Sequence, residues 1–310
     1  MSNPKVSVIL PAYNAAAHLG KAIDSVLGQS FSDFELIIIN DGSTDGTTDL
    51  LTQYQDPRIQ VITQENLGLP KALNRGLAIA KGVYIARQDA DDISLPSRFE
   101  KQVQFLDQNE GHGLVGTWSE IITPDGPSHR QHMHPISNGQ IQVQLLINNQ
   151  FVHSSVMLRA SCLKNTGYYS EDPNHFPPED YDLWLKVAQH TLVANLPEVL
   201  LQYLEEPNSI SRTKQALINS RAALMSEQAI FSIPGIHENS AMIRLLIEAC
   251  NGRRCKIGLI QLYRLQSVLS KIQAYINNRF PNENDNIARG IAFLRRQITK
   301  SFIKSYIPIY

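Results

Sequence analysis

Cysteine is scarce in these 310 residues: Cys162, Cys250 and Cys255 form no C-x-x-C pair and no disulfide pattern. That excludes a stapled secreted scaffold and suits a reducing compartment. No stretch reaches the roughly 18 apolar residues of a spanning helix, and the opening MSNPKVSVILPAYN lacks the apolar core of a secretory signal. A cytoplasmic protein is the expectation. No G-x-G-x-x-G follows the first predicted strand and no Walker A sequence occurs, which removes the dinucleotide fold and the P-loop. Internal repeats and low-complexity tracts are absent as well.

An excess of one charge sign is missing overall, with a net charge of -1, but not locally. From residue 251 onward eleven Lys and Arg face only Glu283 and Asp285, a balance of +9, which leaves -10 for the first 250 residues. Halves that differ this much have different surroundings. A hydrophobic share of 43% with 18% charged residues supplies a full core.

Apolar runs and helical spacing alternate along the first hundred residues. KVSVIL at 5–10, ended by Pro11, FELIIIN at 34–40, RIQVITQ at 58–64 and VYIARQ at 83–88 read as strands. Between them lie helical segments, one carrying Leu19, Ile23, Val26 and Leu27 on one face and another closed by Gly82. This is the pattern of βαβ units on a mostly parallel sheet, an α/β fold whose ligands sit at the strands' carboxyl ends. Pro11 to Asn14, Asn40 to Asp45 and Asp89 to Asp92 all fall at such ends. Further on, LVGTWSEIITPDG reads as strand and turn, HSSVMLR as a strand and EDYDLWLKVAQH as a helix; beyond 212 the chain turns helical.

The stretch ELIIINDGSTDG, residues 35–46, runs from a buried strand into an acidic turn. Asp41, Ser43, Asp45, Gly46 and Asp49 match an EF-hand loop, but its twelfth position is Thr52 rather than Glu and a strand precedes it. Asp45 or Thr44 can cap the helix that begins near Thr47. Asp41 comes too early to cap, and its carboxylate is suited to accept a hydrogen bond from a nucleobase N–H.

VSVILPAYNAAAHLGKAIDSVLGQSF, ELIIINDGSTDGT, NLGLPKALNRGLAIAKGVYIARQDADD and PPEDYDLWLKVA, in that order, resemble a family 2 glycosyltransferase of the bacterial polysaccharide-biosynthesis type. The resemblance implies the GT-A fold, a Rossmann-like nucleotide-diphospho-sugar transferase architecture, with a C-terminal helical extension. It also implies transfer of a sugar from a UDP-sugar, with inversion, to a hydroxyl of a glycan or lipid-linked glycan. It covers residues 5 to about 210, so that 1–210 form the catalytic domain, 1–110 for the nucleotide sugar and 111–210 for the acceptor; the change to helical text and basic charge makes 211–310 a helical extension.

The same resemblance assigns roles. Pro11, Ala12, Tyr13 and Asn14 hold base and ribose; Asp41 meets the base, with Gly68 and Lys71 on its other side. Asp89, Ala90 and Asp91 are the D-x-D signature: Asp91 contacts Mn²⁺ or Mg²⁺, and Asp89 the ribose or a metal-bound water. Hard oxygen ligands suit those ions, which neutralise charge on a leaving diphosphate. Glu179 and Asp180 match an E-D motif in which Asp180 is the general base, since an acceptor hydroxyl cannot attack without losing its proton. The plainer reading makes either residue a helix cap. His153 and Trp184 are assigned to the acceptor side, with a structural histidine and core packing as alternatives. His132 and His134 have ligand spacing but no third ligand, and read as surface-loop residues. Relatives carry basic residues in a lid before a serine pair; here Leu204 and Glu206 stand there, leaving Arg212 or Lys214 to substitute.

In the tail Ile287, Ile291, Leu294, Ile298 and Phe302 form a stripe opposite Arg289, Arg296, Lys300 and Lys304. Such a helix either lies on an anionic membrane as a peripheral contact or packs on other helices with its basic face solvated. Nucleic acid is not expected, because the basic residues lack an aromatic stacking platform or a known motif. Two rival functions stay open: a catalytically silent scaffold in a glycan-assembly complex, and a sugar nucleotidyltransferase. The latter carries a glycine-rich basic loop after strand one, which PAYNAAAHLG is not.

Overall fold

A computed structural model describes residues 3–207, 209–253 and 255–306; Arg254 of the basic segment and residues 307–310 lie outside them. The first unit begins with β1 (Val6–Ala12), α1 (Leu19–Leu27), β2 (Phe34–Asp41), α2 (Thr47–Leu51), β3 (Ile59–Gln64), α3 (Leu69–Ile79) and β4 (Tyr84–Arg87). It continues through β5 (Ile93–Ser94), α4 (Arg98–Gln108), β6 (His112–Thr123) and β7 (Gly126–His132). The chain then forms α5 (Asn138–Leu145), β8 (Met157–Arg159), α6 (Leu163–Thr166), α7 (Glu179–Ala188), β9 (Leu192–Leu204) and α8 (Ile210–Thr213). Four longer helices follow: α9 (Gln215–Phe231), α10 (Ser240–Cys250), α11 (Leu259–Arg279) and α12 (Asn284–Tyr306).

Among the described residues the strands make a nine-stranded sheet ordered β3-β2-β1-β4-β8-β6-β9-β5, with β7 on β6. β3, β2, β1 and β4 run parallel; β8 is antiparallel to both β4 and β6. Every residue of β1 is buried, and Leu36, Ile37, Ile38 and Ile39 of β2 are wholly inaccessible. Covering such a side chain contributes roughly 1.5–3 kcal/mol relative to leaving it in water. That is why aliphatic runs without alternation occupy the centre of a sheet covered on both faces. β1 does not stop at Pro11 as its sequence suggests: Pro11 and Ala12 stay in register with Ile39 and Asn40. The HSSVMLR strand is also shorter than read, since His153–Ser155 is a 3-10 turn ahead of β8. Helix α3 ends at Ile79, and Gly82 instead donates its N–H to the Ser7 hydroxyl at 2.8 Å.

Contacts divide the chain into Met1–His134 with Phe151–Lys214, and Pro135–Gln150 with Gln215–Tyr310. A single boundary near 210 is therefore corrected: α5, read as part of the acceptor half, belongs with the helices. A Cβ at Gly139 would stand 2.8 Å from the Ile287 backbone nitrogen, and one at Gly290 3.0 Å from Val143. Glycine at both positions lets α5 and α12 approach closely. Glu283 accepts the Gly139 N–H at 3.2 Å, tying the start of α5 to the loop before α12.

The apolar stripe of α12, Ile287, Ile291, Leu294 and Ile298, is buried in the core of this helical unit, while Arg289, Arg296, Lys300 and Lys304 are exposed. Packing rather than membrane contact therefore occupies that stripe. Among the described residues no helix is long and apolar enough to cross a membrane.

Candidate active site

The carboxyl ends of the parallel strands open into a cleft of about 520 Å³. Its walls include Pro11, Ala12, Tyr13 and Asn14 after β1, Asp41 at the end of β2, Gly68 at the start of α3, and Asp89, Ala90 and Asp91 after β4. These nine residues were all singled out in the sequence. Lys71, also expected there, is exposed on α3 and does not line the cleft.

Two of the strand-end turns brace each other. Asn14 donates its N–H to Ser43 at 3.0 Å and accepts the Thr44 N–H at 2.8 Å. Ala15 and Ala16 donate their N–H groups to the Thr47 hydroxyl at 2.9 Å and to Asp45 at 3.1 Å. Asp45 also accepts the Thr47 N–H at 3.0 Å, a turn bond just ahead of α2, whose N-cap position is Gly46 rather than Asp45 or Thr44. Asp41 does something else. Its Oδ1 accepts from the Gln64 amide at 2.6 Å and the Leu67 N–H at 3.0 Å, and its Oδ2 from the Gly68 N–H at 2.9 Å. The loop at 64–68 is thereby pulled onto the end of β2. Gly42 permits this approach: its φ is 73° and a Cβ there would lie 2.6 Å from the Asn66 nitrogen.

Past β4 the acidic group is held by buried cations. Arg87 pairs with Asp89 Oδ1 at 2.5 Å, while Ser154 bonds Oδ2 and accepts the Asp89 N–H at 3.0 Å. Burial raises the Asp89 carboxyl, but the Arg87 guanidinium and the Ser154 hydroxyl oppose it, and the group is held below its ordinary value. At Asp91 burial, then the charge of Asp89, outweigh the pull of Arg87 and push the carboxyl up to about 7. Asp92 turns inward, accepting the Leu204 N–H at 2.9 Å with Oδ1. Arg98, fully buried, ties the strand ends together, donating to Ser94 at 2.7 Å and to the Arg87 carbonyl at 2.8 Å.

Helix α7 brings the other acidic pair. Glu179 is buried and is pushed up to about 8 by burial first and the Asp180 charge next. Asp180 is half-buried and accepts the Tyr181 N–H at 2.8 Å. His153 places Nδ1 3.6 Å from Glu179 and bonds the Tyr169 hydroxyl through Nε2 at 2.8 Å. Burial lowers the His153 pKa to about 3, so it stays neutral. Both Asp89 and Glu179 feel the Arg87 charge, which places the two acidic groups in one electrostatic neighbourhood.

Trp184 is corrected from the acceptor side to the core. It is wholly inaccessible and edge-on to Phe151, His153 and Tyr169 at 6.0–6.4 Å, and among the described residues its indole nitrogen has no hydrogen-bond partner. His153 belongs to the same cluster, its ring 5.5 Å from that of Tyr169 and 6.0 Å from that of Trp184. His132 and His134 are half-buried rather than solvent-facing, their rings stacked 6.0 Å apart. Sequence reasoning missed His18, Asn66 and Phe176 as cleft residues. Only Asn66, next to the glycine loop, carried a local signal. His18 Nε2 lies 3.1 Å from Glu206, the acidic residue of the altered lid, and Lys214 lines the cleft while Arg212 pairs with Glu205 at 2.8 Å.

The residues fit a hard divalent cation. Among the described residues no cluster of three or more ligating side chains exists. Asp91, a cleft carboxylate in no ion pair among the described residues, is the kind of single protein ligand that Mg²⁺ and Mn²⁺ combine with phosphate oxygens and water.

Comparison with known proteins identifies the family and the fold. O-antigen biosynthesis glycosyltransferase WbnJ of Escherichia coli is 37% identical over 205 residues, 64% of this chain and 78% of that one. Among solved structures, S. aureus TarS 1-349 in complex with UDP-GlcNAc superposes with a TM-score of 0.60 at 18% identity, over 98% of this chain and 93% of that one. Mannosyltransferase PcManGT from Pyrobaculum calidifontis, in complex with GDP-Man and Mn²⁺, gives 0.55 at 16% identity, covering 98% and 88%. These two likenesses are of fold, the GT-A fold. The model of Glycosyl transferase family 2 matches residues 7–165, half of the chain, and the protein is a glycosyltransferase belonging to that family.

Proposed function

We propose that the protein transfers a sugar from a UDP-sugar, with inversion, to a hydroxyl of a glycan or lipid-linked glycan during cell-surface polysaccharide synthesis. The observation that carries this reading is the convergence in one cleft of the β1 turn, the Asp41–Gly68 loop and Asp89–Asp91. The UDP-GlcNAc in TarS and the biosynthetic role in WbnJ's name support donor and pathway class.

In this reading Pro11 to Asn14 and the loop held by Asp41 enclose base and ribose. Asp91, with Asp89 beside it, holds Mn²⁺ or Mg²⁺, which when bound supplies positive charge opposite the diphosphate. Lys214 adds a cation from the lid side, the role open in the sequence to Lys214 or Arg212. Asp180 takes the proton of the acceptor hydroxyl as its oxygen bonds to the anomeric carbon. The bond from that carbon to the diphosphate breaks on the opposite face, and its electron pair leaves with the UDP. Buried Glu179 remains protonated at neutral pH and so does not compete for that proton.

Calorimetric titration of UDP with Mn²⁺, then with the ion chelated, tests the site. Binding that needs the ion and weakens in Asp91→Ala is expected, and released UDP is the expected product when a UDP-sugar is turned over. Pyrophosphate release would turn the assignment to a nucleotidyltransferase, and neither product nor binding to a silent scaffold.

A further inference from the structure

Helix α11 begins with three large apolar side chains almost wholly in solvent. Leu259 is 72% exposed, Ile260 78% and Tyr263 77%, while no other large hydrophobic residue among those described exceeds 63%. At 100° per residue they occupy an arc of about 100° whose middle lies about 170° from that of the buried stripe. That stripe is Leu265, Val268, Leu269, Ile272 and Ile276. The core of the helical unit therefore explains one side of α11 and leaves the other to something else.

We propose that this tip of α11 docks the protein on an anionic lipid surface. Two observations choose that occupant. First, the apolar face is short. Its continuation along the same side is Ser267, Ser270, Ala274 and Asn278. A second helix lying alongside needs apolar positions repeating over several turns, whereas a wedge entering a lipid interface needs only an end. Second, the approach to the tip is cationic. Arg253 and Lys256 precede it, both exposed and, among the described residues, in no ion pair, in a segment whose balance is +9. Cations flanking exposed Leu, Ile and Tyr match the headgroup boundary, where apolar bodies enter the acyl region and basic groups meet lipid phosphate. The exposed tyrosine suits that boundary, being apolar along its ring and polar at its hydroxyl. This surface lies in the helical unit, away from the stripe of α12 that the sequence brought forward, and does not depend on the donor assigned above.

Co-sedimentation of the full chain with vesicles of phosphatidylglycerol and phosphatidylcholine in equal parts tests it, with phosphatidylcholine alone as the reference. The protein is expected to sediment with the anionic vesicles only. The triple variant Leu259→Ser, Ile260→Ser, Tyr263→Ser is expected to lose at least about tenfold in partitioning, and Arg253→Glu with Lys256→Glu a similar amount. Arg296→Glu with Lys300→Glu, on the exposed face of α12, is expected to stay within about twofold of the parent because it lacks an accompanying apolar wedge. Thermal melts check that the variants remain folded, and Ile260→Ser alone replaces the triple variant if it does not. No binding to anionic vesicles, or binding that survives loss of the tip, overturns the proposal. A concentration-dependent dimer abolished by the triple variant, without vesicle binding, would assign the face to a second copy of the chain instead.

Discussion

Asp41→Asn separates two roles that the site leaves superimposed. The carboxylate sits 3% exposed and receives three N–H groups: the Gln64 amide at 2.6 Å, Leu67 at 3.0 Å and Gly68 at 2.9 Å. Asparagine keeps one oxygen, which can serve Gln64 and Leu67. Its amide nitrogen must then face the Gly68 N–H, donor against donor. One charge-assisted bond worth about 1.5–3 kcal/mol is lost, and the other two weaken as the charge goes. The total is roughly 3 kcal/mol, or about 6–12 °C in Tm for a unit of this size. Asp41→Ala removes every acceptor and is expected to fall further. Calorimetric melts beside UDP titrations make the test. A loop-holding Asp41 predicts a lowered Tm together with weakened UDP binding, as the cleft wall slackens. Weakened UDP binding with an unchanged Tm would refute this reasoning and return Asp41 to direct contact with the base.

Further outcomes follow from the other acidic pair and from the helical unit. Asp180→Asn is expected to spare UDP binding and to lower turnover by about 10²–10⁴-fold, the usual contribution of a general base; normal turnover would remove Asp180 from that role. Glu179 is raised from the ordinary carboxyl range to about 8. The folded state therefore holds a proton that the unfolded chain releases, and stability from this group is lost as pH rises from about 4.5 to about 8. Tm measured without metal across that window is expected to fall less steeply in Glu179→Gln, and equal slopes would refute the burial argument. Gly139→Ala places a methyl 2.8 Å from the Ile287 nitrogen. It is expected to destabilise the helical unit by about 1–3 kcal/mol, seen in the melt of that unit while UDP binding is unchanged.

Much of the catalytic unit was legible because its determinants are local. Short aliphatic runs such as Leu36–Ile39, spaced between helical segments, mark the middle of covered strands, and polar residues directly after them mark the ligand edge. The D-x-D and E-D pairs stood out for the same reason. What was not legible depends on partners far away in the sequence. Asp41 is bound by residues 23 to 27 positions later, so its carboxylate looked available. Arg87 and Arg98 drew no reading from the sequence, yet both are buried because a carboxylate and strand-end carbonyls surround them. Trp184 was drawn toward the acceptor by its neighbours in the motif, although its helix turns it inward. The allegiance of α5 had no local signature, since its reason is a glycine opposite Ile287, nearly 150 residues on.

That allegiance bears on how such a protein can diversify or be rebuilt. Because Pro135–Gln150 belongs with Gln215–Tyr310, the chain passes between the two units three times, at 134, 150 and 214. A tail exchanged between relatives at the last crossing alone would leave α5 facing a foreign α12, with Gly139 and Val143 no longer matched to Ile287 and Gly290. The exchangeable module is thus discontinuous. A graft that moves residues 215–306 has to carry 135–150 with it, and covariation between those two stretches is what a lineage that swapped tails successfully would record.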